Sequence, residues 1–179
     1  MKKKNIVELT NYSVEEYKEV KKLPFLILLD NVRSMQNVGS ILRTSDAFLI
    51  NEVVMGGITG VPPHKEISKT ALGAEYSVAW RHVEDALKEC RRLKDEGWIL
   101  CVLEQAHGST DLMRFQAQEG KKYLLVVGNE VQGVDQSIVD MADVILEIPM
   151  YGVKHSLNVA VSAGMAIWKI SDSLKHLSL

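Results

Sequence analysis

The tightest constraint on this chain is an alternation: short, continuously apolar runs, each followed by a stretch whose apolar residues recur at three- and four-residue steps. The first run, 25–29, is apolar at every position, which suits a strand covered on both faces. It ends at Asp30 and Asn31. Val38, Ile41, Leu42, Ser45, Phe48 and Leu49 then repeat with helical period, predicting a helix whose first turn holds Asn37 and Gly39 and whose Arg43 falls off the apolar stripe. Further strands are expected over 52–55, 76–80, 98–103, 123–127 and 144–148. Helices are expected over 66–72 and 83–95, between the later strands, and over 157–175 at the end. Upstream, Ser13 and Glu16 form a capping box that opens a short helix. Strands alternating with helices predict an α/β fold, a mostly parallel sheet with helices on both faces.

The length of 179 residues and the 46% hydrophobic content suffice for one sizeable core, so 1–179 reads as one domain with 1–23 as a short N-terminal helical extension. The most apolar late stretch, 159–168, is too short for the roughly 20 residues that cross a bilayer, so no membrane association is expected. No apolar segment follows Lys2, Lys3 and Lys4, as a secretory signal would require. Cys90 and Cys101 lack a C-x-x-C spacing and read as reduced core thiols, which points to the cytoplasm. Twenty-one basic against 23 acidic residues make the chain slightly acidic, so any nucleic-acid contact has to use local patches. Lys2, Lys3 and Lys4, then Lys21 and Lys22, then Lys65 and Lys69 are the candidates.

Several chemistries drop out. No G-x-G-x-x-G follows the first strand and no G-x-x-x-x-G-K-[ST] is present, which removes the main support for NAD or ATP. The five histidines are scattered without metal-ligand spacing, so no metal is expected. Ser156 lies in no G-x-S-x-G elbow. Ligands of parallel sheets bind beyond the carboxyl ends of the strands, which directs attention to 30–43, 103–108, 128–133 and 150–158.

Three of these segments carry a resemblance. Asn31-Val-Arg-Ser-Met-Gln-Asn37-Val-Gly39, continuing through Arg43 to Phe48, resembles motif 1 of the SpoU/TrmH group of SPOUT RNA methyltransferases. Gly128-Asn-Glu130-Val-Gln-Gly133 follows as the second segment, and Ile148-Pro-Met150-Tyr-Gly-Val-Lys-His-Ser156-Leu157-Asn158 is similar to the motif 3 signature. The resemblance implies a C-terminal deep trefoil knot, which general folding rules would not suggest because true knots are very rare. It also implies a homodimer whose active site forms at the interface, S-adenosyl-L-methionine as cofactor, and methyl transfer to a ribose 2′-hydroxyl of RNA. Leu103, Gly128, Gly133, Ile148, Met150, Ser156 and Leu157 are then expected to line the cofactor pocket. Arg43 is the expected catalytic residue, acting with Asn37, Ser156 and Asn158, while Glu130 holds Arg43 or orders the loops. Arg43 is either a general base or a clamp on the RNA phosphate, and a guanidinium pKa above ~12 makes the clamp cheaper. With no RNA-binding domain apparent, tRNA is expected over rRNA. A homologue that binds cofactor or RNA without catalysis is the alternative. Departures from the family pattern are Leu49, where many members have Gly, Ala160 for a frequent Ser, and Lys169 near a frequent Glu.

Overall fold

A computed structural model describes Lys3, Asn5 and residues 12–176; Lys2 and Lys4 of the first basic cluster lie outside the described residues. The strands are β1 (Leu23–Asp30), β2 (Ile50–Gly56), β3 (Trp80–Val83), β4 (Trp98–Leu103), β5 (Thr110–Asp111), β6 (Lys122–Val127) and β7 (Val144–Glu147). They make one seven-stranded sheet in the order β3-β2-β1-β6-β4-β7-β5, parallel at every pairing. The helices are α1 (Val14–Glu19), α2 (Met35–Ala47), α3 (Lys65–Ala71), α4 (Ala74–Ser77), α5 (Ala86–Asp95), α6 (Gln136–Asp140) and α7 (Val159–His176).

The continuous apolar run of β1 explains the layering. Phe25, Ile27 and Leu29 enter one core cluster together with α2, α3 and α7, whereas Leu26 and Leu28 enter a second with Cys90 and Leu93 of α5 and Ile138 of α6. Successive strand side chains point to opposite faces, so a strand buried on both sides has to be apolar throughout. Both cysteines are free and buried, and burial pushes each thiol up to about 12.

α2 starts where Ser34 accepts a hydrogen bond from Asn37 N–H (3.3 Å), a side-chain N-cap that satisfies one of the orphan donors of the first turn. Its buried face carries Val38, Gly39, Ile41, Leu42 and Ser45, and leaves Arg43 exposed. At Gly39 an added Cβ would overlap the Thr70 hydroxyl and the Ile67 carbonyl, so the α2–α3 packing needs glycine there.

Three expectations fail locally. The strand over 76–80 is instead α4 followed by a strand starting at Trp80: the Glu75 carboxylate accepts from Gly73 N–H (3.0 Å), and the Trp80 indole donates to Glu75 O (3.1 Å), a local arrangement that the two-residue alternation in the sequence does not reveal. The helix expected from residue 83 begins at Ala86, because Asp85 caps it by accepting from Lys88 N–H (2.9 Å), while Val83 pairs with Gly56. Between β4 and β6 there is no α-helix; β5, a single 3-10 turn at Leu112–Arg114 and two left-handed glycines, Gly108 and Gly120, take its place. α1 is short, ending at Glu19, and its capping box is present.

Candidate active site

β6, β4 and β7 are neighbours in the sheet, and their carboxyl ends open into one cleft of about 330 Å³. Leu103 closes β4, Gly128 follows β6 directly, and Ile148 follows β7 directly. All seven residues expected to touch a cofactor line this cleft: Leu103, Gly128, Gly133, Ile148, Met150, Ser156 and Leu157. Gly128 is there for space. A Cβ on it would run into the backbone of Gly133 and Val134, because residues 128–134 fold back on themselves through an antiparallel bridge between Asn129 and Gly133. Gly133 has φ +73°, in the left-handed region that glycine occupies without steric cost.

Two side-chain hydrogen bonds tie the three motif segments together. Asn158 Nδ2 donates to Asn37 Oδ1 (3.1 Å), and Asn37 Nδ2 donates to Glu130 Oε1 (2.8 Å). Asn158 also starts α7, accepting through Oδ1 from Ala160 N–H (2.9 Å) and Val161 N–H (3.3 Å). Glu130 accepts two backbone N–H groups of the loop before α2, Arg33 on Oε2 and Ser34 on Oε1, each at 3.0 Å. Desolvation works against its charge, yet the hydrogen bonds from Arg33, Asn37 and Ser34 outweigh it and hold the carboxyl below its ordinary range. These bonds connect Glu130 to the loop before α2 and to Asn37. Glu130 makes no ion pair with Arg43. Arg43 does not line the cleft of its own chain; it stands exposed on α2, with no carboxylate partner among the described residues.

Among the cleft residues not named from the sequence are Asn129, Glu104, Gln105 and His155. Asn129 donates through Nδ2 to Asn31 O (2.8 Å) and accepts through Oδ1 from Val131 N–H (2.9 Å), joining the second segment to the end of β1. An Asn between Gly128 and Glu130 is an Asx-turn signal that could have flagged it. Glu104 and Gln105 continue from β4 into the cleft wall, and Gln105 Nε2 donates to His155 O (2.5 Å), fixing the third segment beside the first two. His155 lines the cleft next to Ser156. Nothing in their spacing distinguished these from ordinary loop residues.

Of the basic clusters, Lys22 donates to Val20 O (3.1 Å) and covers the Tyr17 ring, and Lys69 lies 3.9 Å from Glu66; Lys3, Lys21 and Lys65 are exposed. Among the described residues no group of three or more His, Cys, Asp or Glu is placed to hold a metal ion, and no helix is long and apolar enough to cross a membrane.

Comparison with known proteins agrees with this architecture. The model of the SpoU rRNA Methylase family matches residues 24–168. The 23S rRNA (guanosine-2′-O-)-methyltransferase RlmB of Neisseria meningitidis is 32% identical over 145 residues, 80% of this chain and 56% of that protein. The crystal structure of the A. aeolicus TrmH/SpoU tRNA modifying enzyme superposes with a TM-score of 0.81 at 27% identity, covering 92% of this chain and 82% of that one. An AdoMet-bound rRNA methyltransferase from Sinorhizobium meliloti shares the fold, with a TM-score of 0.78 at 24% identity over 93% of this chain and 62% of that one. This chain spans 56% to 62% of the length of the curated relatives it matches. A family match that runs from the second residue of β1 into α7, and so takes in all three segments around the cleft, leaves one assignment: the chain belongs to the SpoU rRNA methylase family of RNA methyltransferases.

Proposed function

We propose that the protein is an S-adenosylmethionine-dependent RNA 2′-O-ribose methyltransferase that works in the cytoplasm as a homodimer, with tRNA as its preferred substrate. The observation that carries this reading is the cleft at the ends of β6, β4 and β7, joined to α2 by the Asn158–Asn37–Glu130 chain of hydrogen bonds.

The cleft suits a nucleoside. Leu103, Ile148 and Leu157 give it apolar walls, and the Gly128 to Val134 turn forms its floor. S-adenosylmethionine, when bound, supplies a methyl group on a sulfonium sulfur. The target ribose oxygen must reach that carbon in line and release its proton, and holding two reactants in such geometry is itself a large part of catalysis. Asn37, Glu130 and Asn158 hold the loops that frame the site, and Ser156 presents a hydroxyl at the cleft wall. Arg43, exposed and unpaired, is read as the group that grips the RNA phosphate beside the target ribose, a bidentate task suited to guanidinium.

Arg43 acts on the cleft of a second copy in this reading, since it does not line its own. Support for the dimer comes from α7, where Val161, Met165 and Trp168, at helical spacing, are 50%, 44% and 54% exposed. The deep C-terminal knot is part of the same proposal. β7 lies beyond β4 at one end of the sheet while α7 packs on α2 and β1, so the chain leaving residues 148–158 crosses back over β4 and β6. The tRNA preference is supported by the likeness to the A. aeolicus TrmH/SpoU tRNA modifying enzyme, at a TM-score of 0.81 and 27% identity.

Incubation with methyl-labelled cofactor and separate tRNA and rRNA pools, followed by nucleoside mapping, tests the proposal. Label is expected in tRNA as an alkali-resistant 2′-O-methyl nucleotide. Arg43→Ala is expected to reduce it about a hundredfold or more while cofactor still binds. Label in neither pool, or on a base, overturns the assignment.

A further inference from the structure

The cleft wall holds a carboxylate that the roles above do not use. Glu104 is the first residue after β4, and its N–H donates to Leu146 O (3.0 Å), so its backbone stays in line with the sheet. Its side chain is half-buried and fixed at both oxygens: Oε1 accepts from Val134 N–H (3.0 Å) and Oε2 from Gln105 N–H (3.1 Å). Oε1 also sits where a Cβ on Gly133 would be, so the carboxylate rests directly on the glycine turn that floors the cleft.

A carboxylate has about four acceptor positions, and two are used here. The remaining capacity belongs to a rigidly held, half-buried group on the wall of a cleft of mixed polar and apolar lining, where a ligand that covers it has to replace the donors of water. A partner for it has to bring hydrogen-bond donors and no negative charge. Two donors on adjacent carbons match two oxygens of fixed spacing, and that pattern is the vicinal diol of a ribose. The position agrees as well. Leu103 supplies an apolar wall for a base, and in a nucleoside the ribose is bonded directly to the base, next to which Glu104 stands.

We propose that Glu104 is the residue that recognises the ribose hydroxyls of a nucleoside ligand in this cleft, an inference that rests on the cofactor reading given above. It makes Glu104 a specificity determinant for ribose over deoxyribose.

Calorimetric titration with S-adenosylhomocysteine, its 2′-deoxy and 3′-deoxy counterparts, and 5′-methylthioadenosine tests this without requiring turnover. The wild-type protein is expected to prefer the ribose form over each deoxy form by about tenfold or more. Glu104→Ala is expected to bring that ratio to about twofold or less by weakening only the ribose form. Because Glu104→Ala also strips an acceptor from Val134 N–H, Glu104→Gln is run beside it, with thermal melting as the control for folding. The amide keeps one acceptor oxygen, so it should melt near wild type and still lose most of the preference. A ratio that survives either substitution in a folded protein overturns the inference and leaves the cofactor reading standing. So does a Glu104→Ala variant that loses S-adenosylhomocysteine but keeps 5′-methylthioadenosine, which would place the carboxylate on the amino-acid tail. Absence of S-adenosylhomocysteine binding to the wild-type protein overturns the cofactor reading itself.

Discussion

Replacing Glu130 by Gln isolates what holds the three motif segments in register. The carboxylate takes three donors: Arg33 N–H on Oε2, and Ser34 N–H with Asn37 Nδ2 on Oε1. An amide oxygen placed at Oε1 keeps the last two and turns an NH2 toward the Arg33 N–H; the opposite orientation sacrifices two bonds. A hydrogen bond to a charged group contributes about 1.5–3 kcal/mol and a neutral one about 0.5–1.5 kcal/mol. Glu130 is exposed, so the lower ends of these ranges apply. One bond lost and two weakened come to about 3.5 kcal/mol even so, and solvent screening at an exposed carboxylate brings this to about 2 kcal/mol, which for a domain of this size lowers Tm by about 4–8 °C. Calorimetry measures the shift, and amide exchange at Arg33 and Ser34 should accelerate locally. The pH dependence carries a sign. A carboxyl whose folded pKa lies below its ordinary 4.5 stabilises fully above that value and loses the contribution as pH falls through the folded one. The gap between wild type and Glu130→Gln should therefore be widest near neutrality and close on acidification. Unchanged Tm with unchanged exchange at Arg33 and Ser34, or a gap that widens in acid, refutes the reasoning.

Gly128→Ala forces a methyl into the backbone of Gly133 and Val134, which has no flexible side-chain end to yield; a loss of about 1–3 kcal/mol and of S-adenosylhomocysteine affinity is expected by melting and calorimetry. Trp168→Glu, on the exposed stripe of α7, should leave the fold intact by circular dichroism and shift sedimentation from dimer toward monomer. Leu72 caps α3 with φ +51° while its side chain is 65% exposed, so Leu72→Asn, which tolerates the left-handed conformation better, should gain about 0.5–1 kcal/mol in denaturant unfolding.

The sheet was readable because β1, β4 and β6 lie in its interior and are apolar almost without break, while α2 and α5 carry strong helical periodicity. What escaped was set by contacts invisible to periodicity. α4 depends on Glu75 reaching its own Gly73 and on the Trp80 indole folding back, and β5 exists only because Thr110 and Asp111 find β7 at the sheet edge. The departure at Leu49 has a direct physical reading: its φ of +54° is the conformation for which the family's frequent Gly is suited, and here a leucine takes it while packing against the core. Motif residues were located by resemblance, but the role of Asn129 and of the Glu104–Gln105 pair depends on which loops face one another across the sheet's end.

The hydrogen-bond chain also divides the labour among the candidate site residues. Asn37 is buried, with its amide donating to Glu130 and its oxygen accepting from Asn158; Asn158 spends its own oxygen on the first turn of α7. Glu130 is engaged at both oxygens by two backbone donors and the Asn37 amide. Groups so committed cannot move a proton or take up an RNA phosphate without releasing the loops they hold, a cost that would fall on every catalytic cycle. Of the expected catalytic set, only Arg43 and Ser156 keep side chains exposed and outside this chain. Substitutions at Asn37, Glu130 or Asn158 should therefore change stability and ligand affinity together. Substitution at Arg43 should lower turnover with stability and cofactor affinity unchanged, which makes the separation of these two classes of effect the measure of whether the three segments form a scaffold around a site completed by a second copy.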